Sequence, residues 1–297
     1  MQRAMVRAMP WVFVLIWSTG FVVARLAMPH SPPFSFLTIR FALSALCFGV
    51  WIALARAAWP VGRAQWGHLV VTGVLMQAGY LGGVWAAVKA GAGAGTVALL
   101  VGLQPVLTAL WVTVTLPRAS AEGKVTAKVT MREWLGVLLG LSGLAFVVGP
   151  KLGTGEVTAA NLAMAIVALL GITIGTLYQK RHVAPCDVRS ASAVQMLAGI
   201  VVCLPLALLE REAMDWHANL VAAMAWSVGV LTLGGSSLLY LLIQRGAATA
   251  VASLLYLVPP CTALLAWLMF GEAFTPLMML GMALTVAGVA IVVRERR

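Results

Sequence analysis

Ten long apolar runs follow one another through this 297-residue chain, at 9–28, 34–54, 66–89, 93–116, 133–149, 159–180, 189–209, 218–244, 248–270 and 275–293. Each approaches the ~20 apolar residues that cross the hydrocarbon of a bilayer. A water-soluble core of this length could not hide ten of them. Composition agrees, since 62% of residues are hydrophobic and only 10% are charged, against about 25% charged in soluble domains. A soluble enzyme, a disordered chain and a small disulfide scaffold are excluded. So is a membrane β-barrel, whose strands alternate apolar and polar residues, because the runs here are continuous. Inside lipid every backbone N–H and C=O must be paired within its own segment. The runs therefore predict an all-α membrane protein of ten transmembrane helices.

The formal net charge of +11 would suggest nucleic acid in a soluble protein. Here the basic residues lie between the apolar runs and act as topology signals, so no nucleic-acid partner is expected. Cys47, Cys203 and Cys261 fall inside runs and Cys186 in a connection, with no CxxC pair. No disulfide framework and no metal site follow from that pattern. Arg3 and Arg7 precede the first run, but it is too long for a signal-peptide core and no small-x-small cleavage site follows it. It is read as the first span.

Short connections between spans require antiparallel neighbours. One side then holds Arg3, Arg7, Arg56, Arg63, Arg118, Lys124, Lys128, Arg132, Lys180, Arg181, Arg189, Arg245, Arg294, Arg296 and Arg297, while the other holds Arg25, Lys89, Lys151 and Arg211. Lys and Arg mark the cytoplasmic side. Both termini are expected there, in a bacterial inner membrane, with 210–217 outside.

The chain also repeats. Ala98-Leu-Leu-Val-Gly-Leu-Gln-Pro105 resembles Ser253-Leu-Leu-Tyr-Leu-Val-Pro-Pro260 at an offset of 155, which also pairs Gly91 with Gly246 and Trp85 with Tyr240. Gly136 and Gly143 match Gly281 and Gly288 at an offset of 145, because the 117–132 connection is longer than its counterpart. Two five-span repeats, 1–149 and 150–297, enter the membrane from opposite sides. Inverted repeats of this kind are typical of secondary transporters, with the substrate near the midplane between the repeats.

Leu15-Ile-Trp-Ser-Thr-Gly-Phe21, Ile39-Arg40-Phe41, Leu255-Tyr-Leu-Val-Pro-Pro260 running on to Phe270-Gly-Glu272, and the Gly281/Gly288 helix occur in this order. In these features the chain resembles the EamA family of the drug/metabolite transporter superfamily, over nearly its whole length. One departure stands out: the fourth span ends in Thr115-Leu-Pro117 where a Gly-Glu like Gly271-Glu272 would be expected. The resemblance implies export of amino acids, aromatic ones among them, or of similar small metabolites, nucleosides, sugars and drugs being the alternative cargo of the same fold.

Pro105 and Pro260 lie mid-run in equivalent helices. Each removes a backbone hydrogen bond and crowds the carbonyl four residues back, and in lipid that carbonyl must face protein or water. With Pro259 alongside, both helices are expected to kink around an interior cavity, where Gln104 would add a polar group. Substrate pockets are mostly apolar with a few placed polar groups. The further candidate contacts are the mid-depth residues Trp17, Ser18, Tyr80, Trp85, Tyr178, Tyr240, Gln244 and Tyr256; for any one of them the alternative is plain helix packing. The cavity is expected between spans one, three, four, six, eight and nine. Trp11, Trp59, Trp66 and Trp134, at run ends, suit an interfacial belt.

Arg40 lies about six residues inside the second span. An intramembrane charge is a functional hypothesis by default, yet at 1.5 Å per residue the span end is only ~9 Å away, within reach of a snorkelling side chain. Both readings, structural anchor and attractor of an anionic group such as a carboxylate, stay open. Gly91-Ala-Gly-Ala-Gly95 follows no strand and so is a tight turn rather than a nucleotide loop. Gly79/Gly83, Gly136/Gly140 and Gly171/Gly175 have the small-xxx-small spacing of helix packing seams.

Gly140-Leu-Ser-Gly143 could suggest an intramembrane serine protease, but that chemistry needs a base beside the serine. His30, His68, His182 and His217 all fall at span ends or in connections, and no acidic metal-binding pair lies within a span. No catalytic residue, cofactor or metal is expected; the partners are the bilayer and a small-molecule substrate. All nine acidic residues lie in connections, tails or at span ends. Proton-coupled carriers place such groups in a relay inside the bundle, so facilitated diffusion or exchange by alternating access is expected.

Overall fold

Apolar runs with few polar side chains leave the backbone no partner but itself, and helices result. The computed structural model describes residues 2–115, 118–119, 125–126, 131–152, 154–235, 237–238, 257–272 and 275–294. In chain order these form α1 (Gln2–Ala27), α2 (Pro33–Ala55) and α3 (Arg63–Gly73), which runs through a π-helical segment, Val74–Leu81, into α4 (Gly82–Lys89). Then come α5 (Ala94–Val101), α6 (Gln104–Thr115), a two-residue strand pair at Arg118–Ala119 and Val125–Thr126, α7 (Met131–Leu152), α8 (Ala159–His182) and α9 (Val188–Leu209). Next, α10 (Ala218–Ala225) runs into a second π segment, Trp226–Gly234, and α11 (Val258–Phe270) and α12 (Pro276–Arg294) complete the described elements. Among the described residues every regular element is helical but for that strand pair. Among the described residues, five helices are long and apolar enough to cross a bilayer, and the other apolar helices are shorter.

Several boundaries have a local cause. The expected fourth span is broken at Gly102–Leu103, and Pro105 is the second residue of α6, where the missing N–H has no helical partner to lose. Pro259 and Pro260 open α11 in the same way. The α5–α6 break touches the start of α11, since a Cβ on Gly102 would lie 2.7 Å from Pro259 Cγ. Gly91 takes φ +96° in the turn before α5, a conformation that costs a glycine little.

The helices pack as antiparallel pairs drawn from the two halves of the chain. α7 lies along α12, and a Cβ on Gly281 would sit 2.6 Å from Gly143 O, one on Gly288 2.5 Å from Gly136 O. The third-span helix lies along α8: Gly83 would meet Met164 O at 2.6 Å and Gly171 would meet Tyr80 N at 2.7 Å. α5 meets α11 where Gly95 faces Ala263. α1 meets the second π segment, with Trp226 Nε1 donating to Thr19 Oγ1 at 2.9 Å. Outward-facing Leu54, Val201 and Leu209 are exposed, as a hydrocarbon surround allows; Trp11, Trp59, Trp66 and Trp134 are exposed too.

At one end of the bundle the halves are tied by carboxylates. Glu210 accepts from Phe34 N at 2.9 Å, Ser35 N at 2.8 Å and Ser35 Oγ at 2.8 Å, serving the orphan donors that any helix start leaves. Glu272 does the same for α5 through Ala94 N at 2.9 Å, with Arg25 Nε 3.9 Å away. Lys89–Glu212 at 2.6 Å and His30–Asp215 at 3.0 Å join the same end. At the opposite end Gln65 Nε2 donates to Ala184 O and Ser190 Oγ to Ala58 O. There Asp187 caps α9, and the hydrogen bonds from the Arg189 side chain hold its carboxyl below the usual range. Replacing Glu210 with Ala leaves three donors unserved and is expected to cost about 1–3 kcal/mol. Glu212→Ala, at a half-exposed pair, should cost about 1 kcal/mol or less. Thermal unfolding in detergent that ranks the two the other way would refute this account of the end.

Candidate functional site

Beneath the carboxylate-tied end the helices line a partly open cavity of about 120 Å³. The chain has little choice about the wall. α2 starts at Pro33, which carries Arg40 two turns into the bundle, where the side chain is only 7% exposed. α4 brings Trp85, 1% exposed and stacked on Phe36 with ring centroids 4.3 Å apart. The guanidinium carbon of Arg40 lies 5.8 Å from the centroid of the Trp85 ring, within cation–π range.

Both π segments contribute to the wall. The first presents Gln77 and Tyr80; the second presents Leu231 and Thr232. Thr232 Oγ1 donates to Ser227 O, five residues back, at 2.8 Å, and Arg40 Nη2 donates to the same hydroxyl at 3.4 Å. π segments are uncommon and occur often at functional sites. Trp17 and Phe21 from α1, Ile172 from α8 and Met196 from α9 complete an otherwise apolar surface. Among the described residues no carboxylate lines it, and Arg40 Nε is buried with no hydrogen-bond partner.

Of the residues expected at the site, Trp17, Tyr80 and Trp85 line this cavity. Ser18 is fully buried and donates to Val14 O within its own helix at 2.7 Å. Gln104 Nε2 donates to Thr176 Oγ1 at 3.2 Å, joining α6 to α8. Tyr178 sits toward the far end, its hydroxyl 2.9 Å from His68 Nδ1 and its ring beside His182. Pro105, Pro259 and Pro260 mark the helix starts described above and are not in the wall. Tyr240, Gln244 and Tyr256 lie outside the described residues. The wall also takes residues that the sequence did not single out, Gln77, Met76, Met196 and Thr232, and it draws on α2 and α9. For Gln77 and Thr232 the only available signal was a polar residue within an apolar run. No group of metal-ligating side chains occurs among the described residues.

A family model described as the EamA-like transporter family matches residues 9–149 and 160–294. The chain is 24% identical over 282 residues to the "Uncharacterized transporter YvbV" of Bacillus subtilis (strain 168), covering 94% of this chain and 88% of that protein. It is 26% identical over 285 residues to the "Uncharacterized inner membrane transporter YedA" of Escherichia coli (strain K12), with 94% and 87% covered. A "Probable amino-acid metabolite efflux pump" of Salmonella typhimurium is 21% identical over 288 residues, with 94% and 91% covered. Among solved structures, one crystal structure superposes with a TM-score of 0.64 at 20% identity, covering 99% of both chains. That last likeness bears on the fold alone.

Proposed function

The chain belongs to the EamA-like transporter family, and on that premise we propose that it exports amino acids or similar small metabolites across the inner membrane. It is a membrane transporter and not an enzyme. The observation that carries the finer reading is the cavity itself. Its wall comes from helices of both family matches, α1, α2 and the third-span helix from one, α8, α9 and the second π segment from the other. A substrate held there touches both halves, as alternating access requires.

Ten spans in two inverted five-span repeats, 1–149 and 150–297, are part of the proposal, and two observations support it. Gly143 faces Gly281 while Gly288 faces Gly136. Exchanging each glycine for its repeat partner turns one contact into the other, the signature of a two-fold relation. The 155-residue offset also carries the first π segment onto 229–236, overlapping the second at Trp226–Gly234. We place both termini in the cytoplasm, from the Lys and Arg asymmetry. The Lys89–Glu212 and His30–Asp215 contacts then lie outside and must break when the halves part there. Trp17, Tyr80 and Trp85 are the proposed substrate contacts, with Ser18, Gln104, Tyr178, Tyr240, Gln244 and Tyr256 as further candidates and Pro105, Pro259 and Pro260 as the helix breaks.

The test uses proteoliposomes at equal pH on both sides, loaded with unlabelled substrate, and a panel of amino acids, nucleosides, sugars and cationic drugs. Saturable counterflow of an amino acid is expected without a pH gradient. Non-saturable flux would indicate a channel. Accumulation well above the substrate's equilibrium ratio under an imposed pH gradient would overturn the facilitated mechanism. A preference for nucleosides, sugars or cations would overturn the cargo.

A further inference from the structure

The cavity holds a positive charge that no acidic group among the described residues of its wall neutralises. Arg40 is 93% shielded, taking 7% as its exposure, and its guanidinium carries five donors. One reaches Thr232 at the long distance of 3.4 Å, and Nε reaches nothing. The Trp85 face offsets part of the charge, and cation–π contacts are worth far less than a counter-ion at such burial. Among the described residues no carboxylate reaches the wall, and all nine acidic residues of the sequence fall in connections, tails or at the ends of apolar runs. A snorkelling anchor would show a solvated head, and this head is buried. A desolvated, unpaired guanidinium facing an empty cavity is a receptor for an anion, with the planar fork that suits a carboxylate.

We infer that the cavity takes a small carboxylate with an apolar or aromatic body, its carboxylate on Arg40 and its body against Trp17, Phe21, Tyr80 and Trp85, and that an α-ammonium group is dispensable. This rests on the transporter reading and narrows its cargo. The anion satisfies Arg40 Nε and shields the charge. The body meets aromatic faces. An ammonium group finds no carboxylate among the described residues of the wall, so no counter-ion there selects for it. Aromatic and branched monocarboxylates should therefore bind as well as the matching amino acids, and amines should not.

The probes are 3-phenylpropionate, phenylalanine, 3-phenylpropionamide and phenethylamine, measured on the purified full-length protein by calorimetry and thermal shift. The first two should bind within a few-fold of each other, and the amide and amine roughly tenfold to a hundredfold more weakly, the range for a charge-assisted hydrogen bond. Arg40→Gln should erase that preference, and Arg40→Lys should keep part of it. The wild-type panel is decisive even where a variant folds poorly. An amide that binds as well as the acid overturns the inference. So do phenylalanine binding more than tenfold tighter than 3-phenylpropionate, wild-type protein that binds none of the four, and Arg40→Gln with the wild-type preference. An Arg40-dependent carboxylate preference without saturable flux in liposomes would sink the transport reading and leave this site standing. Saturable flux without the preference would do the reverse.

Discussion

Trp85→Ala is expected to lower the stability of the protein by about 3–5 kcal/mol, the usual cost of truncating a buried large aromatic, and to remove most transport. Trp85 is 1% exposed, stacks on Phe36 and lies 5.8 Å beneath the Arg40 guanidinium. Deleting the ring opens the packing between α2 and α4 and strips an aromatic face from a buried charge. Trp85→Phe separates the two roles. It keeps an aromatic face against Phe36 and should fold with a melting temperature close to the parent, yet it presents a smaller and weaker cation–π surface. A raised KM with near-normal expression is expected for Phe, and loss of both fold and flux for Ala. Unchanged melting of the Ala variant together with unchanged KM of the Phe variant would remove Trp85 from both the core and the cavity.

Which parts of this were legible in the sequence follows from what apolar runs encode. Helix positions were readable because the runs are bounded by Pro, Gly and charge: α2 begins at Pro33, α9 follows Asp187 and α12 begins at Pro276. The break in the fourth span was signalled by Gly102 and Pro105, although the chain interrupts the helix before the proline rather than bending through it. The π segments were invisible. Val74–Leu81 and Trp226–Gly234 have the same apolar composition as their neighbours, and a change from four- to five-residue hydrogen bonding leaves no mark on composition. That change turns the helix face by a fraction of a turn and decides that Gln77 and Thr232 look inward. The cavity wall was therefore legible only where a residue is distinctive in itself, as Trp17, Tyr80, Trp85 and Arg40 are. Ser18 and Tyr178 are distinctive too, yet one bonds its own helix and the other a histidine at the bundle end. Residue type proposes a role, and the facing helix decides whether it is used.

The seam between α7 and α12 should tolerate almost no added side-chain volume. A Cβ on Gly281 would sit 2.6 Å from Gly143 O, and one on Gly288 would sit 2.5 Å from Gly136 O and 2.8 Å from Gly140 N; Gly143 meets Gly281 O and the Thr285 hydroxyl in the same way. Apart from Val147 Cγ2, 2.7 Å from the Cβ position of Gly281, these opposing atoms are backbone or are fixed to it by Thr285 Oγ1 donating to Gly281 O. No rotamer change relieves such a contact, so the helices must move apart along their length. In lipid that separation is especially damaging. Tails are as apolar as the side chains, so helices there are held by close packing rather than by expulsion of water. Gly281→Val and Gly288→Val should each cost about 3 kcal/mol, the upper range for overpacking. Gly143→Ala should be nearly as harmful as Gly288→Ala, because the repeat relation makes their contacts equivalents. Gly49 is the control: nothing lies within 4 Å of its Cβ position in α2. There alanine should be neutral or stabilise by about 0.5–1 kcal/mol through helix propensity. Size-exclusion profiles and melting curves of the five variants in one detergent test the ranking. Melting of the Gly281 and Gly288 variants within a degree or two of the Gly49→Ala protein would mean that the two helices do not approach through these glycines, and the two-fold relation built on them would lose its support.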